Sequence, residues 1–252
     1  IFDREAKRCG IQRLVAVAFE GETDPSIVSL VDRVEWMKLG QLQKLIETFQ
    51  KNDIGQVVMV GQIAPTNLFK NLRLDWRMTT LLARLKHKNA ETIFGAIGKE
   101  LAKYGLELVP HAQFLEPIIP AAGVLTHRKP SREERADFEF GSRVAKQIAA
   151  LDIGQTVVVK RGTVLAVEAF EGTDETLLRA GRLGGAGAVA VKVAKQGHDM
   201  RFDIPVVGLQ TLKVLKKIEA AVLAVEARRT IVLEREKLAE AADRMDLCFC
   251  AV

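Results

Sequence analysis

At 252 residues, 48% hydrophobic and 27% charged, the chain can bury one large core or two modest ones and has an ordinary globular composition. Its net charge of +5 suits anionic partners, whether a phosphorylated small molecule, an acidic membrane surface or nucleic acid, and does not choose among them. Eleven Phe, two Trp and one Tyr, with no basic run interleaved among them, give no stacking platform, so a nucleic-acid partner is not expected.

The opening Ile1-Phe2-Asp3-Arg4-Glu5 is not a signal peptide, and with no initiating Met the chain reads as beginning inside a longer sequence. No apolar run approaches the ~20 residues of a spanning helix. Residues 12–18 read as a buried strand, and Leu42, Leu45, Ile46 and Phe49 recur at helical spacing. A second strand is expected at 56–60, closed by Gly61. The Lys/Arg-rich stretch 70–88 reads as a solvated helix face that could also meet acidic lipid. Ile93, Phe94, Ile97 and Leu101 mark another helix, stopped at Gly105 and followed by a strand over 106–109. Strands alternating with helices predict a parallel sheet with helical cover, so the first domain is expected to be Rossmann-like. No complete dinucleotide fingerprint or Walker sequence is present, so neither a nicotinamide cofactor nor ATP is specifically indicated.

Pro110, Pro117, Pro120 and Pro130 punctuate the middle of the chain and place a domain boundary near 128. The expected domains are thus 1–128 and 129–252, the second a mixed α/β unit. Ser131-Arg-Glu-Glu134 is a capping box opening a long helix, with Phe138, Val144, Ala145 and Ile148 on its buried face. Runs 156–160 and 163–169, turned by Arg161-Gly162, predict a hairpin. Further strands are expected at 187–193, 221–225, 230–233 and 247–251, with helices near 174–182, 210–218 and 234–245. Cys248 and Cys250 would share one face of the last strand as buried thiols, a usage suited to a reducing cytoplasm. Asp-Ile-Gly-Gln occurs at 53–56 and again at 152–155, and unmatched flanks make it a coincidence rather than a repeat.

Two segments could carry chemistry. In Glu168-Ala-Phe-Glu171-Gly-Thr173-Asp174-Glu175, carboxylates cluster between a strand end and a helix start. Such a cluster suits Mg²⁺ and phosphate oxygens. The simpler account makes Thr173 a helix cap and gives Asp174 and Glu175 to the positive helix end. Glu168 resists that account, because it interrupts an apolar strand and a buried carboxylate needs a partner. The second segment runs from Lys192 through Lys195, His198, Asp199, Arg201 and Asp203 to Pro205. Its cations could clamp phosphate and its carboxylates could hold a metal or orient water, although a solvated charged loop fits the pattern as well. Asp203 precedes an apolar strand, which tethers it. Gly61, beyond a strand end, stands where open parallel sheets bind ligands, although an ordinary strand-to-helix turn fits the segment as well. His87, His111, His127 and His198 have no metal-ligand spacing.

Leu151-Asp-Ile-Gly-Gln-Thr-Val-Val-Val, then Val164-Leu-Ala-Val-Glu-Ala-Phe-Glu-Gly-Thr-Asp174, resembles the signature of the metal-dependent UDP-2,3-diacylglucosamine diphosphatases of the lipid A pathway, a family unrelated to calcineurin-like phosphoesterases. Lys192-x-x-Lys195, Asp199-Met-Arg-Phe-Asp-Ile-Pro-Val-Val-Gly208 and Thr211 look like its second block. The likeness runs through most of 131–252; the first half matches more loosely, at Asp24-Pro25, Gly61 and Gly105. The resemblance implies two α/β domains holding the substrate between them and Mg²⁺-assisted hydrolysis of the diphosphate to UMP and 2,3-diacylglucosamine 1-phosphate. It places catalysis on Asp203, Glu171 and Asp174, with Asp203 and Glu171 as metal ligands. Substrate contacts fall on Gly61, Glu168, Thr173, Lys192, Lys195, Arg201 and Thr211. A cytoplasmic protein touching the inner-membrane surface is implied, and a homodimer is left open. Three departures stand out: the family's opening strand and glycine-rich turn are missing, Lys88-Asn-Ala-Glu91 replaces a Gly-Asp-Asp, and Lys195-Gln-Gly-His198 replaces Lys-Pro-x-Gln. They keep alive a competing expectation, a family member with weakened catalysis that binds a nucleotide sugar or lipid.

Overall fold

A computed structural model describes residues 1–61, 73–87, 90–195, 201 and 204–252, which form two compact units: 1–115 with Arg201, and 116–195 with 204–252.

In the first unit, helix α1 (Phe2–Arg8) precedes β1 (Val15–Phe19), which pairs in parallel with β2 (Arg33–Met37). A short 3-10 turn lies between these strands, its start capped by Asp24, which accepts from Ser26 N at 2.8 Å. Helix α2 (Leu42–Lys51) buries Leu42, Ile46 and Phe49, as their spacing requires. β3 (Gln56–Val57) pairs in parallel with β4 (Glu107–Leu108). Helices α3 (Trp76–Ala83) and α4 (Ala90–Ala102) close the core, in which Met78, Ile97, Leu101, Leu106 and Leu108 meet the buried stripe of α2. Helix α5 (Ala112–Leu115) completes the unit.

A single Rossmann-like sheet is not seen among the described residues of this unit. Among the described residues, the strands are parallel but stay in two separate pairs, β1–β2 and β3–β4. Of the expected strand at 56–60 only Gln56 and Val57 enter a ladder, and Val60 is exposed. The segment 70–88 is also not simply a solvated face over its described part. Arg77 lies over the Trp76 and Tyr104 rings, 4.8 Å from each centroid, and donates to Glu100 at 2.7 Å.

In the second unit, β5 (Gly123–Val124), helix α6 (Arg132–Ala150) and the hairpin β6 (Thr156–Lys160)–β7 (Thr163–Val167) come first. Helix α7 (Thr173–Gly184), β8 (Val189–Lys192), β9 (Val206–Val207) and helix α8 (Leu209–Lys217) follow. β10 (Val222–Val225), β11 (Ile231–Val232), helix α9 (Arg235–Asp243) and β12 (Cys248–Ala251) end the chain. The six-stranded sheet has the order β5-β12-β10-β8-β6-β7. β12, β10 and β8 run parallel, β6 runs against β8, and β7 runs against β6. The carboxyl ends of β7, β8, β10 and β12 therefore share one edge with the amino end of β6.

Helix α6 covers one face of this sheet, packing Phe138, Ala145 and Ala149 on Val157, Val159, Val189, Val191, Cys248 and Cys250. The two cysteines share that buried face, as their alternation predicts. Leu177, Leu212, Leu215 and Leu238 fill the other face against Val158, Ala190, Leu223 and Phe249. Both hydrogen bonds of the Ser131–Glu134 capping box are present. The hairpin turn puts Arg161 and Gly162 at φ +49° and +74°, and Asp137 accepts from both their amides at 2.7 Å.

The expected domain boundary needs correction. The units part after Leu115, not near 128, because β5 supplies an edge strand to the second sheet and Leu125 N donates to Phe249 O. The prolines mark turns within a unit instead of its border. The recurring Asp-Ile-Gly-Gln remains no repeat, although both copies end a helix in the same way. Asp53 and Asp152 adopt φ +54° and +61°, and the following Ile amide reaches back to Phe49 O at 3.0 Å or Ile148 O at 3.1 Å. Glu219 and Asp246 do the same before β10 and β12.

Candidate functional site

The chemistry-bearing side chains of the second unit collect at the shared strand edge. Glu168 follows β7, Thr156 opens β6 and Lys192 ends β8. Thr173 is not the cap of α7: Gly172, at φ +82°, occupies that position and Thr173 is the first helical residue. Its hydroxyl is thereby left to join the others. Thr173 Oγ1 donates to Glu168 Oε1 at 2.8 Å and accepts from Lys192 Nζ at 2.9 Å, with Thr156 Oγ1 3.4 Å away. The second oxygen of Glu168 accepts from Gln155 N at 3.2 Å. Glu168, half-buried, thus has hydrogen-bond partners for both oxygens, and a carboxylate, a hydroxyl and a cation stand in sequence at the sheet edge.

This arrangement depends on a close approach. A Cβ on Gly154 would lie 2.1 Å from Glu168 O, so only glycine lets the 152–155 turn pack against the end of β7. A hollow beside it is lined by Asp152, Ile153, Gly154, Gln155 and Lys195. Lys195 Nζ reaches Asp152 Oδ1 at 3.4 Å.

Not every expected residue joins this group. Glu171 accepts instead from Arg179 Nη2 at 2.7 Å and Thr176 Oγ1 at 3.2 Å. A backbone N–H hydrogen bond, reinforced by Thr176 and Arg179, holds its carboxyl below the ordinary 4.5. Asp174 lies in the first turn of α7 and Thr211 in the first turn of α8. Gly61, at φ +103°, belongs to the first unit, as does Arg201, which lies beside Gly98 and Leu108. Asp203, His198 and the Lys88-Asn89 pair lie outside the described residues.

Among the described residues, no three His, Cys, Asp or Glu side chains gather as a metal site. Of the two ligands the resemblance implies for Mg²⁺, only Glu171 lies among the described residues, and its carboxylate is paired with Arg179.

Sequence reasoning missed a second carboxylate at this edge. Glu226, after β10, accepts from Ala194 N at 2.7 Å and pairs with Lys146 of α6. A signal for it was present: Val-Leu-Ala-Val-Glu-Ala occurs at 164–169 and again at 222–227. Each copy ends a strand of one sheet with a carboxylate that accepts a backbone amide from a neighbouring segment.

The class these features define is an α/β protein of two units, the second presenting cations, a hydroxyl and carboxylates at the edge of a mixed sheet where β7, β8, β10 and β12 end. Open α/β sheets bind ligands at such edges. The family model described as the LpxI N-terminal domain matches residues 1–118, and the LpxI C-terminal domain matches 121–250. The chain belongs to the LpxI family. It is similar to a UDP-2,3-diacylglucosamine pyrophosphatase LpxI of Caulobacter vibrioides, with 30% identity over 220 residues, covering 83% of this chain and 78% of that one.

Proposed function

We propose that this protein hydrolyses the diphosphate bond of UDP-2,3-diacylglucosamine, releasing UMP and 2,3-diacylglucosamine 1-phosphate, as a step of lipid A biosynthesis. The observation that carries the reading is the Glu168–Thr173–Lys192 sequence of hydrogen bonds at the strand edge of a family member. Membership and the relative's printed activity support the substrate; the geometry supports an anion-binding role for the edge.

The attacking water forms a bond to the phosphorus nearer the sugar, the bridging oxygen leaves with UMP, and the water's proton passes to a base, a role assigned to Asp203. Lys192 and Lys195 bind diphosphate oxygens and stabilise the charge that builds on them. Glu168, by accepting from Thr173, fixes the hydroxyl that in turn orients Lys192. Asp174, Arg201 and Thr211 remain proposed contacts from the resemblance. Mg²⁺ belongs to the same proposal, and Asp203 would hold it. When bound, the ion would supply charge neutralisation at the phosphates.

Leu151, Ile153 and Phe170 are exposed on the two turns flanking the Gly154–Glu168 contact. They offer apolar surface next to the cations, which suits a headgroup with acyl chains attached. Contact with the inner-membrane surface follows from that substrate. Among the described residues, no helix is long and apolar enough to cross a membrane.

UMP release from UDP-2,3-diacylglucosamine, with and without Mg²⁺, tests the reading in the parent and Asp203→Ala. Mg²⁺-dependent release by the parent and its loss in the variant are expected. A folded parent that binds substrate without releasing UMP would replace this reading with that of a binding protein.

A further inference from the structure

The backbone just beyond β8 carries Lys195, and it is gripped from three sides. Glu226 Oε2 accepts from Ala194 N at 2.7 Å. Lys146 Nζ donates to Ala194 O at 3.0 Å and also to the same Glu226 oxygen. Arg229 Nη2 donates to Lys195 O at 3.1 Å, and its Nε lies 3.8 Å from Glu226 Oε1. The peptide groups of two successive residues are thus tied to one ion-paired cluster.

The cluster's members are themselves rigidly placed. Lys146 projects from α6, which is pressed onto the sheet at Gly141, where a Cβ would meet Val191 Cγ2 at 2.8 Å. Glu226 directly follows β10, and its own amide donates to Lys192 O at 3.1 Å. This fixes it against the end of β8. One end of the clamp therefore reaches Lys192, and the other reaches Ala194 and Lys195. Lys146 and Glu226 are largely covered, with side-chain exposures of 34% and 16%. A charged pair held at a strand end to fasten one loop is more than a surface ion pair, which would contribute little. The repeated Val-Leu-Ala-Val-Glu-Ala puts Glu226 at the same edge as Glu168, but the two carboxylates act differently. Both accept a backbone amide, but Glu168 also reaches a hydroxyl in the Lys192 sequence, whereas Glu226 also pairs with Lys146.

We propose that Lys146 and Glu226 are positioning residues that set the Lys192–Lys195 segment, and with it the Lys195 ammonium, for the diphosphate. Neither touches the reacting atoms; both act through the backbone of residues 192–195. The proposal rests on the hydrolase reading, because the benefit of placing Lys195 is expressed in turnover.

The test uses the full chain with Glu226→Ala, Glu226→Gln, Lys146→Met and the double variant Lys146→Met/Glu226→Ala. Hydrogen exchange at 193–195 is followed beside UMP release. Small displacements of a binding group can cost about a hundredfold, so Glu226→Ala and Lys146→Met are each expected to lower kcat by about tenfold to a hundredfold. KM should change by less than about threefold, because the phosphates keep the same cations and lose only their alignment. Glu226→Gln, which still accepts the Ala194 amide, should recover part of kcat. The double variant should be no worse than either single one, since a pair acting as a unit is non-additive. In Glu226→Ala the 193–195 amides should exchange faster, while protection in β10 and β12 stays as in the parent.

Unchanged kcat in folded single variants, effects that multiply in the double variant, or unchanged exchange at 193–195 would each overturn the clamp. A parent that releases no UMP sinks the hydrolase reading instead, and the exchange measurement then decides the clamp by itself.

Discussion

Replacing Thr173 with Val removes one oxygen and keeps the shape of the side chain, so it tests the centre of the proposed site without opening a cavity. The hydroxyl makes two bonds to charged groups, one donated to Glu168 at 2.8 Å and one accepted from Lys192 at 2.9 Å. Hydrogen bonds to charged groups contribute ~1.5–3 kcal/mol each. Thr173, Glu168 and Lys192 are only half-buried, so water recovers much of that loss. The net destabilisation expected for Thr173→Val is ~1–3 kcal/mol. In a domain of this size each kcal/mol lowers Tm by about 2–4 °C. Lys192 also loses the group that aims it, so kcat for UMP release should fall by at least about tenfold. Thr173→Ser keeps the hydroxyl and should retain most of both properties. Urea unfolding and UMP release, measured together on parent, Val and Ser variants, make the check. A Val variant within about 0.3 kcal/mol of the parent and equally active would refute the role given to this hydroxyl, that threshold being the usual scatter of such comparisons.

Other outcomes follow from the same structure. Gly154→Ala places a Cβ 2.1 Å from Glu168 O, which is backbone that cannot swing away; a loss of several kcal/mol and of UMP release is expected, read by unfolding and activity. Glu219 holds φ +50° as an exposed helix stop. Glu219→Gly should therefore raise stability by about 0.5–1 kcal/mol, the left-handed strain relieved exceeding the entropy glycine adds to the unfolded chain. Burial opposes ionisation of Glu134, but hydrogen bonds from Arg128 and Ser131 outweigh it and bring its carboxyl below the ordinary 4.5. A depressed folded value gives stability that is present above about pH 4.5 and lost as pH falls through the folded value, so Glu134→Gln should flatten the acid limb of the stability curve in that window.

The local elements were legible because their signals are local. Leu42, Ile46 and Phe49 at helical spacing, the Ser131–Glu134 box and the Arg161-Gly162 turn each carry their geometry in a few adjacent residues, and each forms where it is read. Pairing partners are not local. Whether Gln56-Val57 joins a broad sheet or a single neighbour depends on segments far along the chain, and here it finds β4 alone among the described residues. The 128 boundary failed for the same reason, since no composition change announces that Gly123-Val124 will pair with Cys250 and Ala251.

The site divides along the same line. By itself the sequence determined that Glu168 would need a partner, that cations cluster between Lys192 and Arg201, and that both halves alternate helix and strand, because residue type and short periodicity decide those points. Only tertiary structure decided that the partner of Glu168 is Thr173, that Glu171 turns to Arg179, and that Lys146 and Glu226, 80 residues apart, meet over the backbone of Ala194. Those choices depend on strand order and on how closely α6 and the Gly154 turn approach the sheet, quantities fixed by packing across the whole unit and written in no single stretch of chain.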